Sequence, residues 1–432
     1  MKEQNRILIE EYIGKVCFYI KWKDVHKQIK LEIEDHLYAI IEENQDRGIE
    51  EEEAVQRAIR QMGKAETIGK QLHEIHRPAP DWGILLLVSL FSGIGLMTIY
   101  SLQRYGQAGG NYQYLSLGKS IFYIIVGMSI GVALYFVDYK KIQPYSKHIY
   151  GFTILMLIFV LSKGKLSQGR PNLYVFGRDV NFIAMSPYLL IISLGGIFTN
   201  LDWQQPKKIL LGIGVVVVPF FLIAIGFSLV SALLFLVAAL PMMYFSGARL
   251  YHVLGTSIAF FAIMMFKIGG HSYSLVRLLS FINPYRDPNG VGYMTIQSSK
   301  TILSAGFFGR GFAMENISLP QLHTDFIFTY LVYAFGWLAG FVMVALAIIF
   351  ICRLAKLGTR VQDSYGKLLA IGFALIISLQ YIWNILMTLG FVPIVAIGMP
   401  FVSYGGLSMI VYFAIIGLIS SVYKRRNIGV II

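Results

Sequence analysis

A single acid at the edge of an apolar run is the first candidate for chemistry. In SLPQLHTDFIFTYLVYAFG, residues 318–336, His323, Thr324 and Asp325 directly precede a stretch apolar enough to enter a membrane. A carboxylate there can accept a proton or hold a cation, and ionisable groups at membrane depth usually belong to functional sites. Asp and Thr also cap helices by binding free N–H groups of the first turn, so a structural cap stays an alternative.

Two opposed effects set the pKa of Asp325. Apolar neighbours such as Phe326 and Ile327 raise the pKa, whereas a helix N-terminus and nearby Arg or Lys lower it. We expect the net result to be an ionised carboxylate near neutral pH. His323 is expected either to hydrogen-bond Asp325 or to line the same pocket.

Basic residues form the second candidate group, because they could bind phosphate or pyrophosphate through charge-assisted hydrogen bonds. They concentrate in SKGKLSQGRPNLYVFGRD and in the long segment 267–323. Long loops also carry basic residues without any function, so both interpretations stay open. The candidates are Arg170, Arg178, Arg286, Lys300 and Arg310.

Other acids in these segments have simpler explanations. Asp287 lies in NPYRDPNG, where Pro, Asn and Gly predict successive turns, so it should hydrogen-bond the local backbone. Asp179 follows Arg178 and is expected to pair with it, and Glu315 is expected to be a solvated loop residue. Asp325 therefore remains the only acid with a predicted catalytic role.

Membrane helices must position these residues. The 432-residue chain is 56% hydrophobic and 14% charged, which excludes an ordinary soluble enzyme. After residue 80, ten apolar windows are long enough to cross a hydrocarbon core about 30 Å thick. The sequence therefore predicts an all-α polytopic membrane protein. The predicted spans are 82–101, 118–137, 149–163, 182–200, 207–225, 228–246, 252–268, 324–352, 366–390 and 400–423.

A polar segment, residues 1–78, precedes the spans and holds 16 of the 24 acids. Its apolar residues recur at helical spacing, which predicts a small cytoplasmic helical domain or docking module. No secretory leader pattern is recognised, and an even number of spans then places the C-terminus in the cytoplasm as well. With this topology, Asp325 and a large loop at about 269–323 face outward.

The rest of the chain carries 24 Lys and Arg residues against 8 acids. This excess is spread over several loops, which suits anionic headgroups or a phosphorylated lipid and disfavours nucleic acid. The two cysteines, Cys17 and Cys352, indicate neither a disulfide framework nor a metal cluster. No cofactor is predicted, and assistance by a divalent cation stays open.

Several blocks resemble one family of bacterial membrane proteins. FINPYRDPNGVGYMTIQSSKTILSAGFFGRGF, LPQLHTDFIF, NILMTLGFVP and GMPFVSYGGLS are similar to the SEDS family of shape, elongation, division and sporulation proteins, which includes RodA, FtsW and SpoVE. GLMTIYS at 95–101 and the pair Asp138–Tyr139 match weaker family features. The resemblance covers about 82–424, and the HTDFIF block is its most specific part. Residues within 1–78 resemble the prefix domain of some bacterial permeases.

The resemblance implies an enzyme that polymerises peptidoglycan. SEDS proteins join lipid II units into glycan on the outer face of the cell membrane, release undecaprenyl pyrophosphate and work with a class B penicillin-binding protein. Asp325 falls on the family's essential aspartate, with an implied role as general base or positioning group. Arg170 matches the family's loop arginine. The implied substrate contacts are Arg170, Arg286, Lys300, Arg310, His323 and Thr324.

Some charged family positions are apolar in this chain. Ala184, Met185, Ser186 and Pro187, followed by Leu190, replace a Gln-Pro-Ser-Glu block with its lysine, and Ser228 replaces an aspartate. Tyr333 and Ala334 replace two glutamates, and the tryptophan expected after the loop arginine is absent. These departures favour a second interpretation, a non-catalytic SEDS-like scaffold that binds a penicillin-binding protein or division partner. A lipid-precursor transporter is a third interpretation, disfavoured by the lack of mid-membrane charge.

Overall fold

The computed structural model describes residues 3–23, 26–76, 80–107, 115–167, 170–175, 178–226, 228–269, 276, 279–312 and 319–426. The chain forms two compact units. The first contains residues 1–80 with the short segments 361–363 and 423–432, and the second contains 81–360 and 364–422.

Four helices make up the first unit before residue 80. They are α1 (Glu3–Phe18), α2 (His26–Asp46), α3 (Glu51–Met62) and α4 (Ala65–His76). Apolar residues at the predicted helical spacing, including Ile9, Val16 and Leu37, form one buried cluster. Three glutamates occupy the first turn of α3, where they complement the helix dipole, and Gly63 with φ 95° ends the helix.

The second unit is built from long apolar helices. Among the described residues, eight helices are long and apolar enough to cross a membrane, and two shorter apolar helices accompany them. Together they coincide with the ten predicted spans, which confirms the all-α polytopic membrane fold. The ten are α5 (Trp82–Gln107), α6 (Leu117–Phe136), α7 (Ser146–Lys163), α8 (Phe182–Thr199), α9 (Pro206–Ile225), α10 (Leu229–Phe245), α11 (Leu250–Gly269), α13 (Ile327–Arg360), α14 (Ser364–Thr388) and α15 (Gly406–Lys424).

Three helices occupy the interior of this unit. In α8, 67% of the apolar window is buried, and in α14 and α15 the fraction is 61%, far above the 22% of α6. Small residues allow the backbones to approach, as is usual in membrane bundles. A Cβ atom on Gly372 of α14 would lie 2.7 Å from Ile191 of α8. These inner helices supply most of the cavity described below.

A small antiparallel sheet lies between α7 and α8 and was not predicted. It contains β1 (Lys165–Ser167), β2 (Arg170–Val175) and β3 (Arg178–Val180) in the order β1-β2-β3. Leu173 pairs with Val180, and Tyr174 pairs with Asp179. The strands are three to six residues long, too short for an alternating apolar pattern to stand out against neighbouring apolar spans. The sheet sets the position of Arg170.

The described part of the segment predicted as a large loop includes a short 3-10 helix at Pro284–Arg286 and the α-helix α12 (Tyr293–Leu303). Helix α13 is interrupted at Gly336, whose φ of 87° is not helical. Residues 306–311, which follow α12, hydrogen-bond to the backbone at this interruption. The N–H groups of Arg310 and Gly311 donate to the carbonyls of Tyr333 and Ala334, at 2.9 and 3.0 Å. A side chain on Gly336 would collide with the Phe307 carbonyl oxygen. The first nine residues of α13 are therefore a separate short helix that begins just after Asp325.

Candidate active site

A cavity of about 370 Å³ opens at one end of the helical bundle and contains Asp325. Two surfaces face it. The loop wall consists of residues 323–325 and 396–404; Thr324 and Asp325, but not His323, belong to the described lining. The helical wall consists of 181–188, at the start of α8, and 228–234, at the start of α10. Arg170 and Asp179 of the sheet, Gln380 of α14 and the start of α15 complete the lining. The charged residues of the described lining are Arg170, Asp179 and Asp325.

Four helix N-termini meet at this cavity. The lining residues Asn181, Ser228, Asp325 and Tyr404 stand immediately before or within two residues of the starts of α8, α10, α13 and α15. Helix N-termini carry partial positive charge and unpaired N–H groups, so they favour anions. The Arg170 guanidinium and the four positive helix ends therefore offset the carboxylates of Asp179 and Asp325, and they are the places in the lining where a phosphate group could bind.

Asp325 is 9% exposed, two residues before α13 begins. Burial raises the pKa of its carboxyl from 3.8 to about 7, and the charge of Arg170 opposes the rise. The sequence predicted a fully ionised group near neutral pH; in the structure the loss of hydration outweighs the cation. The described hydrogen bond of this residue uses its backbone carbonyl, which accepts from Asn384, and the helix cap stays an alternative. The group can exchange a proton near neutral pH.

Three hydrogen bonds fix the backbone of residues 323–325. The carbonyl of His323 accepts from the Tyr404 N–H at 2.7 Å, and that of Thr324 accepts from the Ser403 hydroxyl at 2.8 Å. The carbonyl of Asp325 accepts from the Asn384 amide at 2.9 Å. Each carbonyl thus has its own donor from a distant part of the chain. This arrangement places the Asp325 side chain without using its carboxylate.

The same donors also hold the second half of the loop wall. Asn384 donates to the Ile397 carbonyl at 2.6 Å, and the Ser403 hydroxyl accepts from the Met399 N–H at 2.7 Å. Phe401 adopts φ 64°, a left-handed conformation that is rare for a bulky residue. Such backbone strain persists only where the surroundings enforce it. Residues 396–404 are therefore a fixed loop and not a continuation of α15, which begins at Gly406 instead of the predicted residue 400.

The other predicted substrate contacts are distributed unevenly. Thr324 lines the cavity with Asp325 and Arg170. His323 turns its ring edge-on against Tyr404, with centroids 5.9 Å apart, and burial lowers its pKa to about 4, so the imidazole is neutral at pH 7. The described lining includes none of three exposed cations, which stay predicted contacts outside the cavity. They are Arg286, Lys300 and Arg310.

The remaining loop residues agree with their simpler explanations where the structure describes them. Asp287 accepts hydrogen bonds from the N–H groups of Gly290 and Val291, at 3.1 and 3.2 Å, which confirms its predicted role in a turn. Arg310 donates to the Ser304 carbonyl at 2.6 Å. The side chain of Arg178 and the whole of Glu315 lie outside the described residues, so their predictions stay predictions.

Several cavity residues escaped the sequence-based prediction. Asn384, Ser403 and Gln380 lie in or beside apolar segments, and only their partners give them a role. Of the positions where the resemblance implies other residues, Ala184, Met185 and Ser228 contribute to the helical wall, and among these three only Ser228 stands where the resemblance implies a charge. Ser228 shares a 2.6 Å hydrogen bond with Ser231, so this wall is polar in places but neutral.

A divalent cation would find few ligands in the described part of the chain. No group of three or more His, Cys, Asp or Glu side chains converges there. The cavity offers the two carboxylates of Asp179 and Asp325. Mg²⁺ is commonly held by one or two carboxylates together with substrate phosphates, so a cation carried in with a substrate fits this donor set better than a resident one.

These features define a polytopic α-helical membrane protein with a buried acid in a cavity bordered by Arg170 and four helix N-termini. The profile of the FtsW, RodA and SpoVE family, described as cell cycle protein, matches residues 81–428. The chain belongs to this family, which confirms the resemblance drawn from the HTDFIF block and its companions.

Characterised relatives span nearly the same region. The peptidoglycan glycosyltransferase MrdB of Escherichia coli K12 is 29% identical over 323 residues, which cover 72% of this chain and 86% of that protein. The probable peptidoglycan glycosyltransferase FtsW of Trichlorobacter lovleyi is 24% identical over 358 residues, 79% and 92% of the two chains. Stage V sporulation protein E of Bacillus subtilis strain 168 is 24% identical over 365 residues, 81% and 98%.

Solved structures show the same fold. A chain from a study of how a peptidoglycan synthase complex coordinates polymerization and crosslinking has a TM-score of 0.67 at 22% identity. The rod shape determining protein RodA of Thermus thermophilus has a TM-score of 0.60 at 20% identity. Each alignment covers 81% of this chain and 98% of the other. The likeness supports the helical arrangement around the cavity.

Proposed function

We propose that this protein is a peptidoglycan glycosyltransferase that polymerises lipid II on the outer face of a bacterial cell membrane, in elongation, division or sporulation. Family membership and relatives named as peptidoglycan glycosyltransferases support this activity. The observation that carries it is a buried carboxylate with a pKa of about 7 in a cavity shared with Arg170.

Asp325 is the proposed general base. The 4-hydroxyl of the GlcNAc on one lipid II attacks the anomeric carbon of the growing chain. As the new C–O bond forms, the hydroxyl proton passes to the Asp325 carboxylate, and the bond between the anomeric carbon and the pyrophosphate oxygen breaks. Positioned bases of this kind contribute about 10²–10⁴ in rate, most effectively when their pKa lies near the working pH.

The leaving group takes the electron pair of the broken bond and departs as undecaprenyl pyrophosphate. Arg170 and the four helix N-termini would balance the charge that develops on it, without reorganisation during the reaction. Arg286, Lys300 and Arg310 are proposed to contact the pyrophosphate or the headgroup region outside the cavity. His323 is proposed to shape the loop wall through its contact with Tyr404, since a neutral imidazole adds no positive charge.

The topology and partner follow from the same proposal. Both termini would lie in the cytoplasm, with residues 1–78 as a cytoplasmic helical domain and 82–424 as the catalytic membrane domain. A class B penicillin-binding protein is the proposed partner, supported by the structural neighbour from a peptidoglycan synthase complex. The four-helix segment has its own buried cluster, which suits a docking module.

A non-catalytic scaffold is the second candidate function. One observation favours it: the helical wall carries Ala184 and Ser228 where the family resemblance implies a glutamine and an aspartate. Catalytic groups depend on supporting residues for their geometry, so their loss would slow or abolish the reaction. The hydrogen bonds that Asn384 and Ser403 donate to the backbone of residues 323–325, here called the clamp, favour the enzyme. They position Asp325 with groups that this chain supplies itself.

The test is glycan synthesis by the purified full-length chain supplied with lipid II. We expect polymer from the wild type and none from Asp325→Ala at equal expression and thermal stability. If the wild type makes no polymer, alone or with a class B penicillin-binding protein, while it still binds that partner, the scaffold replaces the enzyme.

A further inference from the structure

The floor of the cavity contains a polar cluster that the proposed chemistry does not use. Gln380 is 4% exposed and lies on α14, four residues before Asn384. Its amide nitrogen donates to the hydroxyls of Tyr188 and Tyr412, at 3.0 and 3.1 Å. All three side chains line the cavity that contains Asp325. Two long aromatic side chains from α8 and α15 thus hold one amide in a fixed orientation.

The other polar atom of this amide has no partner in the described structure. Among the described residues, no donor lies within hydrogen-bond distance of the buried Gln380 carbonyl oxygen. A buried acceptor without a partner costs about 1–3 kcal/mol, so a donor from water or from a ligand would stabilise it. The oxygen itself is buried and Gln380 lines the cavity, so a ligand there would supply the missing donor after a small rotation of the amide.

The position of the cluster separates it from the charged end of the cavity. Four residues of helix correspond to about 6 Å along the axis. Gln380 therefore lies about one turn closer to the N-terminus of α14 than Asn384, the residue that donates to the Asp325 carbonyl. Arg170, Asp179 and Asp325 are the charged groups of the described lining, and the cluster of Gln380, Tyr188 and Tyr412 is neutral. Pyrophosphate would bind near Arg170, whereas neutral hydrogen-bonding groups of a ligand would bind near Gln380.

Size also restricts what can occupy the floor. At about 370 Å³ the cavity is at the lower end of small-molecule pockets, which measure about 300–1,000 Å³. It can take one part of a lipid-linked disaccharide-peptide and not the whole molecule. The part that carries neutral hydroxyl and acetamido groups next to a pyrophosphate is the saccharide.

We propose that Gln380, oriented by Tyr188 and Tyr412, is a saccharide-binding residue whose carbonyl oxygen accepts a hydroxyl or acetamido hydrogen of the substrate. This inference rests on the proposed function, because it takes lipid II as the substrate. It assigns a neutral specificity site to the cavity, separate from the charged groups that bind and activate the reacting centre. In this proposal, neutral side chains of the cavity bind the saccharide.

The experiment compares the affinity of the full-length protein for two lipids, lipid II and undecaprenyl pyrophosphate, by microscale thermophoresis in detergent. Only lipid II carries a saccharide. For Gln380→Leu we expect the Kd for lipid II to rise about three- to tenfold, as loss of one neutral hydrogen bond predicts. The Kd for undecaprenyl pyrophosphate should not change. Ser378→Ala, a change on the same helix outside the described lining, is the control and should leave both values unchanged.

Other outcomes have definite meanings. Equal lipid II affinity in Gln380→Leu would mean that only water pairs with the amide, and equal weakening for both lipids would mean a general structural effect; either overturns the proposal. If Gln380→Leu does not fold, Tyr412→Phe removes one hydroxyl that orients the amide and should give a smaller loss with the same selectivity for lipid II. A wild type that does not bind lipid II overturns the proposed function itself.

Discussion

The two walls of the cavity are built in opposite ways. The loop wall is irregular backbone whose carbonyls at residues 323–325 each receive a separate hydrogen bond, and it carries the one deeply buried acid of the described lining. The helical wall is regular α8 and α10, with neutral side chains at Ala184, Met185 and Ser228. Hydrogen bonds therefore fix the backbone of the loop wall, which carries Asp325. The helical wall contributes mainly the shape of the cavity.

This difference has a physical cause. Helices satisfy their own backbone groups, so a helical wall tolerates a change from charged to apolar side chains without losing its form. An irregular loop away from water has no regular internal hydrogen bonds, so each of its carbonyls needs a donor from another part of the chain. We therefore expect substitutions in the loop wall to affect both structure and activity, and substitutions in the helical wall to affect mainly electrostatics.

The largest effect is expected where the loop wall carries its charge. Asp325→Asn keeps the shape and removes the base, so the rate of glycan synthesis should fall by about 10²–10⁴. Thermal stability should not fall: the pKa of Asp325 is about 7 in the fold against 3.8 as a free group, so folded-state stability decreases as pH rises between these values, and Asn removes that cost. Lipid II polymerisation and thermal unfolding at pH 8 measure both. Asp179→Asn, an exposed acid of the same cavity, is the control.

A combined loss of activity and stability is expected at Asn384. Asn384→Leu leaves the buried carbonyls of Asp325 and Ile397 without their donor, at a cost of about 1–3 kcal/mol each. Because the backbone that places the Asp325 carboxylate is released, the rate should fall about 10- to 100-fold. The rate should follow the same pH dependence as the wild type. A lower thermal midpoint with an unchanged rate would contradict a positioning role for this residue.

Ser403→Ala also perturbs the loop wall, and its effect should be smaller than that of Asn384→Leu. The substitution removes one donor to the Thr324 carbonyl and one acceptor for the Met399 N–H, while Asn384 and Tyr404 continue to hold the flanking carbonyls. We expect the rate to fall about five- to tenfold, with a smaller change in thermal midpoint than for Asn384→Leu. Ser408→Ala, in the first turn of α15 and also facing the cavity, is the matched control. Equal effects of the two serine substitutions would contradict the clamp.

The contrast between the walls also explains what the sequence could predict. Ten spans follow from length and apolar composition, because bilayer thickness sets a minimum helix length. Asp325 was recognisable because it is an acid beside an apolar run. The break at Gly336 and the roles of Asn384, Ser403 and Gln380 depend on partners between 13 and 192 residues away, and no local pattern encodes such pairs. The sheet that positions Arg170 pairs residues only three to seven positions apart, but its strands are too short to show an alternating pattern.

The pKa of Asp325 was only partly predictable for a similar reason. The sequence identified both opposing effects, apolar surroundings and nearby positive charge. Their balance depends on how far the neighbouring elements enclose residues 323–325, which is a property of the folded loop wall. In the structure that enclosure prevails, so the carboxylate titrates near neutral pH instead of remaining ionised.

The smallest effect is expected from recharging the helical wall. Ser228→Asp introduces the acid that the family resemblance implies, at a buried position that lines the same cavity. A second negative charge disfavours ionisation of Asp325 and should raise its pKa by about one unit. Since the base acts in its ionised form, the rate of glycan synthesis rises with pH. Its midpoint should move from about 7 in the wild type to about 8 in the variant.

At pH 7 this shift corresponds to a rate about fivefold lower, with recovery above pH 9, because only the ionised fraction of Asp325 changes. Ser228→Asn, neutral and of similar size, should keep the wild-type midpoint. If the midpoint of Ser228→Asp stays near 7, the two walls do not interact electrostatically, and the neutral helical wall cannot be what sets the working pH of Asp325. If instead activity rises at every pH, the missing acid was a catalytic support, and the helical wall contributes more than shape.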